Sequence, residues 1–228
     1  MSPHLLNIIV HVSAGCVAIA LGLIQLARRK GDRLHVRLGR VAVTIAAVSL
    51  AAAMLGAVLF RGKTDLIAVS VLTAYQLWSG MRSLRLRHNG RGLVDVIPAL
   101  ALVAGGVVIY LLWRHGGVFN WGPARVYAAM GSLIFYGSYD VVRLVFPRQW
   151  RPWLNPAEHA FKLTSLIGAL VSVAAAVLLP AQGVVVSLSV SVLFLGLGVV
   201  FAVRAARYAL GVRPSAVLKA RLNADSEL

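Results

Sequence analysis

The stretch "LLNIIVHVSAGCVAIALGLIQLARRKGDRLHVRLGR", residues 5–40, decides the fold. An almost unbroken apolar run (5–27) gives way to a segment (28–40) that holds six Lys/Arg. About 20 apolar residues suffice for a helix to cross the ~30 Å hydrocarbon layer of a bilayer. The run therefore reads as a membrane span and the basic segment as the anchor that ends it. The whole chain supports this: 228 residues are 59% hydrophobic and 13% charged, with mean hydropathy +0.81. A soluble domain carries roughly 25% charged residues. The net charge of +16 would suggest nucleic acid in a soluble chain. Here no aromatic-interleaved platform or binding motif accompanies the arginines, so nucleic acid is not an expected partner.

Seven stretches of this kind follow one another: 5–27, 39–60, 65–84, 94–113, 124–146, 159–180 and 183–206. They are continuous and not alternating, which points to helices and away from a barrel. The expected class is all-α: a polytopic transmembrane helix bundle of about seven spans over 1–212, followed by a cytoplasmic tail, 213–228. The connections alternate in charge. Six Lys/Arg fall in 28–40, four in 82–91, three in 143–151 and five from 204 onward. The other set of connections holds four: Arg61, Lys63, Arg114 and Arg125; Lys162 lies inside a span. Cationic loops stay on the cytoplasmic side. The pattern predicts an outside N-terminus, a cytoplasmic C-terminus and a place in the bacterial inner membrane. It also predicts contact between the basic loops and the anionic headgroups of membrane lipid. Homo-oligomerisation stays open.

Ionisable groups inside spans are expensive and mark function more often than chance. Asp95, Asp140, His159, Lys162, Arg82 and His35 all map near the inner ends of spans, with Tyr75 and Tyr139 slightly deeper. If their faces converge, they line a cytoplasm-facing polar pocket for a small ligand or protons. Each also has a plainer reading. Asp95 and Glu158 complement helix dipoles. Asp140 pairs with Arg143 three residues on. Lys162 snorkels, or pairs with Asp140 or Asp95. His11 hydrogen-bonds to a neighbouring helix, with Gly15 and Gly22 on its side of the first span. As a metal or b-type heme site, the candidates are His11, or His35 with His159.

No HExxH, CxxC, GxSxG or phosphate loop occurs, and the final stretch has no lysine for a retinal. A non-enzymatic role is favoured, with an enzymatic one left open. "HVSAGCVAIALGLIQLARRKGDRLHVRLGRV" (11–41) combines His11, Gly15, Lys30, Gly31, His35 and Gly39. With weaker matches in "LWSGMRSLRLR" and "EHAFKLTSLIGALVS", it resembles a bacterial family of predicted integral membrane proteins classed as a domain of unknown function. The resemblance implies a multi-span membrane fold and carries no activity. Three roles remain: ligand or proton handling, a heme or metal redox subunit, and a non-catalytic accessory or assembly protein.

Overall fold

A computed structural model describes residues 1–60, 64–86, 89–116, 122–179 and 182–211. The tail expected at 213–228 lies outside them. Among the described residues seven α-helices follow in chain order: α1 Pro3–Ala27, α2 Arg33–Leu59, α3 Thr64–Leu86, α4 Leu93–Arg114, α5 Pro123–Val142, α6 Arg151–Leu178 and α7 Gly183–Ala209. Two 3₁₀ turns, Arg143–Val145 and Arg148–Trp150, link α5 to α6. No strand occurs among the described residues.

Among the described residues five helices are long and apolar enough to cross a membrane: α1, α2, α4, α7, and α6 taken together with the turn before it. The other two, α3 and α5, fall short of that criterion for a physical reason. Thr73, Gln76, Ser79 and Ser83 on α3, and Asp140 on α5, are buried polar residues that face protein. The outside of the bundle is the reverse. On α7, Val185, Val192, Leu193, Val199 and Val203 are exposed, and α1 exposes Leu5, Leu6, Val12, Leu23 and Ile24. A water-soluble monomer rarely shows so much contiguous apolar surface, whereas lipid-facing helices require it.

Two helix starts differ from the sequence expectation. The second helix begins at Arg33, because Asp32 caps it by accepting from the His35 backbone N–H at 2.5 Å. The sixth begins at Arg151 with Pro152 in its first turn, ahead of the expected stretch 159–180, and Pro156 sits inside it. In both cases the helix runs past its apolar stretch into residues of interface character, which hydropathy does not register. At the end of α1, Lys30 Nζ donates to the carbonyls of Gln25 (2.5 Å) and Leu26 (3.0 Å) and lies 4.7 Å from the Phe201 ring of α7. The lysine thus satisfies carbonyls that a helix C-terminus leaves open.

The sixth helix is the hub, packing against α1, α3 and, most extensively, α7. The hairpins α1–α2 and α4–α5 flank it and α3. One apolar cluster joins Ala18, Ala46, Leu50, Leu77 and Leu166; a second joins Tyr75, Ala99, Leu102, Leu133 and Tyr136. At Gly137 a Cβ would sit 2.6 Å from the Ala99 carbonyl oxygen, so α4 and α5 touch backbone to backbone.

Candidate functional site

Every turn of α3 from Tyr75 onward presents a polar group to the same side: Tyr75, Ser79 and Ser83 recur at intervals of four. A matching stripe on α6 runs Asn155, Glu158, Lys162 and Ser165, at steps of three or four. With Tyr139 and Asp140 of α5 and Arg143 just beyond its end, these stripes meet at the arginine-rich end of the bundle.

Asp140 is the inner anchor and is 1% exposed. Its Oδ2 accepts from the Tyr75 hydroxyl at 2.5 Å and from Ser79 Oγ at 2.6 Å. Lys162 Nζ donates to both carboxylate oxygens, at 2.6 and 2.8 Å, and to Ser79 Oγ at 2.7 Å. Glu158 is the outer anchor. Its Oε1 accepts from Arg143 Nε at 2.5 Å and from the Tyr139 hydroxyl at 2.9 Å. Arg143 also donates to Asn155 Oδ1 at 3.0 Å.

Arg91 joins the two carboxylates. It belongs to the connection between α3 and α4, yet only 2% of its side chain is exposed. Its Nη2 lies 2.7 Å from Glu158 Oε2 and 3.2 Å from Asp140 Oδ1, and donates to Ser83 Oγ at 3.0 Å. Burial opposes the guanidinium charge, but the carboxylates of Asp140 and Glu158 outweigh it and raise the Arg91 pKa above its ordinary value. A side chain from a loop thus plugs the end of the polar column. Tyr75 lies eleven residues from the end of α3, about 16 Å at 1.5 Å per residue. The column therefore reaches well inside the apolar layer.

The structure joins Asp140, Lys162, Tyr75 and Tyr139 and places the other sequence candidates around them. Asp95 and Arg82 form a pair of their own: Arg82 Nε donates to Asp95 Oδ1 at 2.9 Å, and the Gly92 backbone N–H donates to Oδ2 at 2.9 Å. His159 lies on another face of α6, its Nδ1 donating to the Gly80 carbonyl at 3.0 Å. His35 is near His159, and its Nδ1 is buried without a hydrogen-bond partner among the described residues. Neither histidine touches Asp140. His11 is separate again, its Nδ1 donating to the Ser49 carbonyl at 3.0 Å. Among the described residues, no group of three or more His, Cys, Asp or Glu is placed to hold a metal ion.

Two expectations change. Arg143 does not pair with Asp140. It reaches Glu158, because the chain leaves α5 in a 3₁₀ turn that swings position 143 toward α6. The polar groups also fill the space between the helices and do not line an open polar pocket. The nearest cavity, of about 220 Å³, touches Glu158 and Lys162 but is otherwise walled by residues such as Phe135, Leu154, Ala157 and Phe161.

Glu158, Arg91, Arg143, Ser79, Ser83 and Asn155 were not among the candidates. For Glu158 a signal was present: a carboxylate four residues before Lys162 in an apolar helix. For Arg91 none was, since a loop arginine that folds inward has the same sequence context as one that faces lipid headgroups. The chain matches no protein-family model, no curated protein and no solved structure.

Proposed function

We propose that the protein is an integral membrane protein of seven spans, its arginine-rich end cytoplasmic in a bacterial inner membrane, and that its Asp140–Lys162–Glu158–Arg91 cluster binds and passes protons. One observation carries this reading. Among the described residues the cluster brings three cationic side chains, Arg91, Arg143 and Lys162, into contact with two carboxylates, all between 1 and 4% exposed. An uncompensated charge at that depth is costly. Charge balance is reached if one cation gives up a proton. The arginines cannot do so, and Lys162 can. Lys162 then donates or accepts at Nζ, with Asp140 as its partner and Ser79 and Tyr75 as hydroxyl relays. Arg91 closes the cytoplasmic end.

The test is proton flux into vesicles holding the purified chain and a pH-sensitive dye, driven by an imposed potential. Wild type acidifies the lumen faster than empty vesicles, and Lys162→Met abolishes the difference. Equal rates for wild type and Lys162→Met overturn the reading.

A second reading has its own support. Every oxygen of Asp140 and Glu158 already accepts from a protein donor. That is the arrangement of an ionic joint that holds helices together in an accessory or assembly protein. A variant with both Asp140→Asn and Lys162→Met that folds and functions normally selects it. The redox alternative through His11, or through His35 and His159, is tested by absorbance: a Soret band in the purified protein is its required signature.

A further inference from the structure

A groove of about 440 Å³ runs between α2 and α3, and none of the residues lining it belongs to the ionic cluster. Its α2 wall includes Val43, Ala47 and Met54; its α3 wall includes Ala74 and Trp78. Eleven residues separate Val43 from Met54, so the groove is about 16 Å long at 1.5 Å per residue. The two helices are antiparallel neighbours, which places Val43 toward the end of α3 and Met54 toward its middle. That end carries Arg82 and Arg85, both lining the groove. Arg40 lies one turn before Val43 on the same face of α2, and it and Arg85 are exposed.

The Arg82 guanidinium is held in place. Asp95 accepts from its Nε at 2.9 Å and its Nη2 at 3.5 Å, while Nη1 has no bond among the described residues. Three guanidinium groups thus lie at one end of an apolar trough, and only that of Arg82 has a carboxylate partner among the described residues.

We propose that this groove is a binding site for one anionic glycerophospholipid, its acyl chain along Ala47 and Trp78 and its phosphate on Arg40, Arg82 and Arg85. Charge complementarity names the occupant. In hydrocarbon the trough gains little by exchanging one acyl chain for another, because lipid tails are as apolar as its walls. Selection therefore comes from the headgroup, where each arginine near the surface favours an anionic lipid by roughly fivefold. The site is independent of the proton reading, since none of its groups belongs to the Asp140–Glu158 network.

The experiment is native mass spectrometry of the full chain in detergent with equal amounts of phosphatidylglycerol and phosphatidylcholine. Wild type retains phosphatidylglycerol in preference. Arg40→Gln with Arg85→Gln reduces that preference by roughly tenfold or more. Ala47→Phe with Ala51→Phe fills the trough from two exposed positions and releases the bound lipid. Helix content checked by circular dichroism stays at the wild-type level in each, because all four positions are exposed. Equal retention of the two lipids by wild type overturns the proposal. So does an equal loss on Arg148→Gln, an exposed arginine elsewhere on the basic end, which would make the attraction diffuse. A dimer mass that Ala47→Phe with Ala51→Phe dissociates would assign the groove to a second copy, and that too overturns it.

Discussion

The two working faces of α6 are held by opposite means. One face presents Asn155, Glu158 and Lys162 to α3 and α5 and is joined by ion pairs. The other presents Phe161, Gly168 and Ser172 to α7. There a Cβ at Gly168 would meet Phe194 Cβ at 2.3 Å, and Ser172 Oγ donates to the Ser187 carbonyl at 2.7 Å. The α7 face is joined by closeness, as membrane helices with small residues are. The contrast separates two uses of polarity within a bilayer. Ser172 and its partners bridge two helices with neutral groups that cost little to bury. The charged face gathers five ionisable groups where a few hydroxyls would have sufficed for adhesion.

The largest expected effect comes from breaking the ionic face by halves. Asp140→Asn alone leaves Arg91, Arg143 and Lys162 facing the single carboxylate of Glu158 and should destabilise the fold by about 3–5 kcal/mol in denaturant titration of the detergent-solubilised protein. Lys162→Met alone leaves Asp140 beside Arg91 at 3.2 Å and should cost less. The two together remove the pair and should recover most of that loss, since a neutral replacement of a buried pair is often tolerated. If the double variant is as unstable as the sum of the singles, the contacts between Asp140 and Lys162 are not coupled and the picture of one network fails. If it folds but no longer moves protons, chemistry and adhesion are separated on this face.

The α7 face should break by a different route. Gly168→Leu forces the side chain into Phe194, whose Cβ is fixed to its backbone, so the helices must part. Overpacking of this kind costs about 1–3 kcal/mol. Spin labels on the exposed positions Val177 and Val185 should report a wider separation, while the Lys162-dependent proton flux stays at the wild-type rate. A variant that loses the flux along with the packing would show that the two faces are one mechanical unit.

How far the sequence announces this arrangement differs between fold and site. Most of the helices are legible because five of them are long and apolar enough to cross a bilayer, and their order follows from the punctuation between them. The starts of α2 and α6 are not legible, since Arg33–Leu38 and Arg151–Pro156 are helical beyond the apolar stretch and hydropathy stops at its edge. Asp140 and Lys162 stand out as charges in apolar surroundings, but they are 22 residues apart on different helices, and pairing across helices depends on rotations that one sequence does not display. Glu158 has the dipole position of an ordinary first-turn carboxylate if the helix is taken to start at Pro156. Moving the start to Arg151 puts it two turns in, where only a partner explains it. Arg91 is invisible for a simpler reason: an inward turn of a loop side chain leaves no periodicity.

Ser172→Ala asks how much the neutral bridges contribute. Hydrogen bonds between membrane helices average about 0.6 kcal/mol in double-mutant cycles, so the loss should be near that value and well below the loss at Asp140. A loss as large as that of Asp140→Asn would erase the difference between the faces.

The smallest effect sets an exposed carboxylate against the buried ones. Asp32 holds the first turn of α2 by accepting from the His35 backbone N–H, and that bond lowers its pKa below the ordinary value, with a smaller contribution from Arg28. A group whose folded pKa is depressed stabilises only while ionised. Its contribution is complete above the unfolded value, near 3.9, and is lost as pH falls through the folded one. Hydrogen exchange at the His35 amide should therefore accelerate, relative to its intrinsic rate, as the medium drops below about pH 4. Asp32→Asn keeps an acceptor at the cap and should remove the pH dependence while leaving protection at neutral pH close to wild type. The rest of α2 should not respond, because a cap governs only its own turn. If acid instead loosened α2 along its length, the basic loop would be coupled to the bundle, and exposed and buried carboxylates would no longer be distinct in kind.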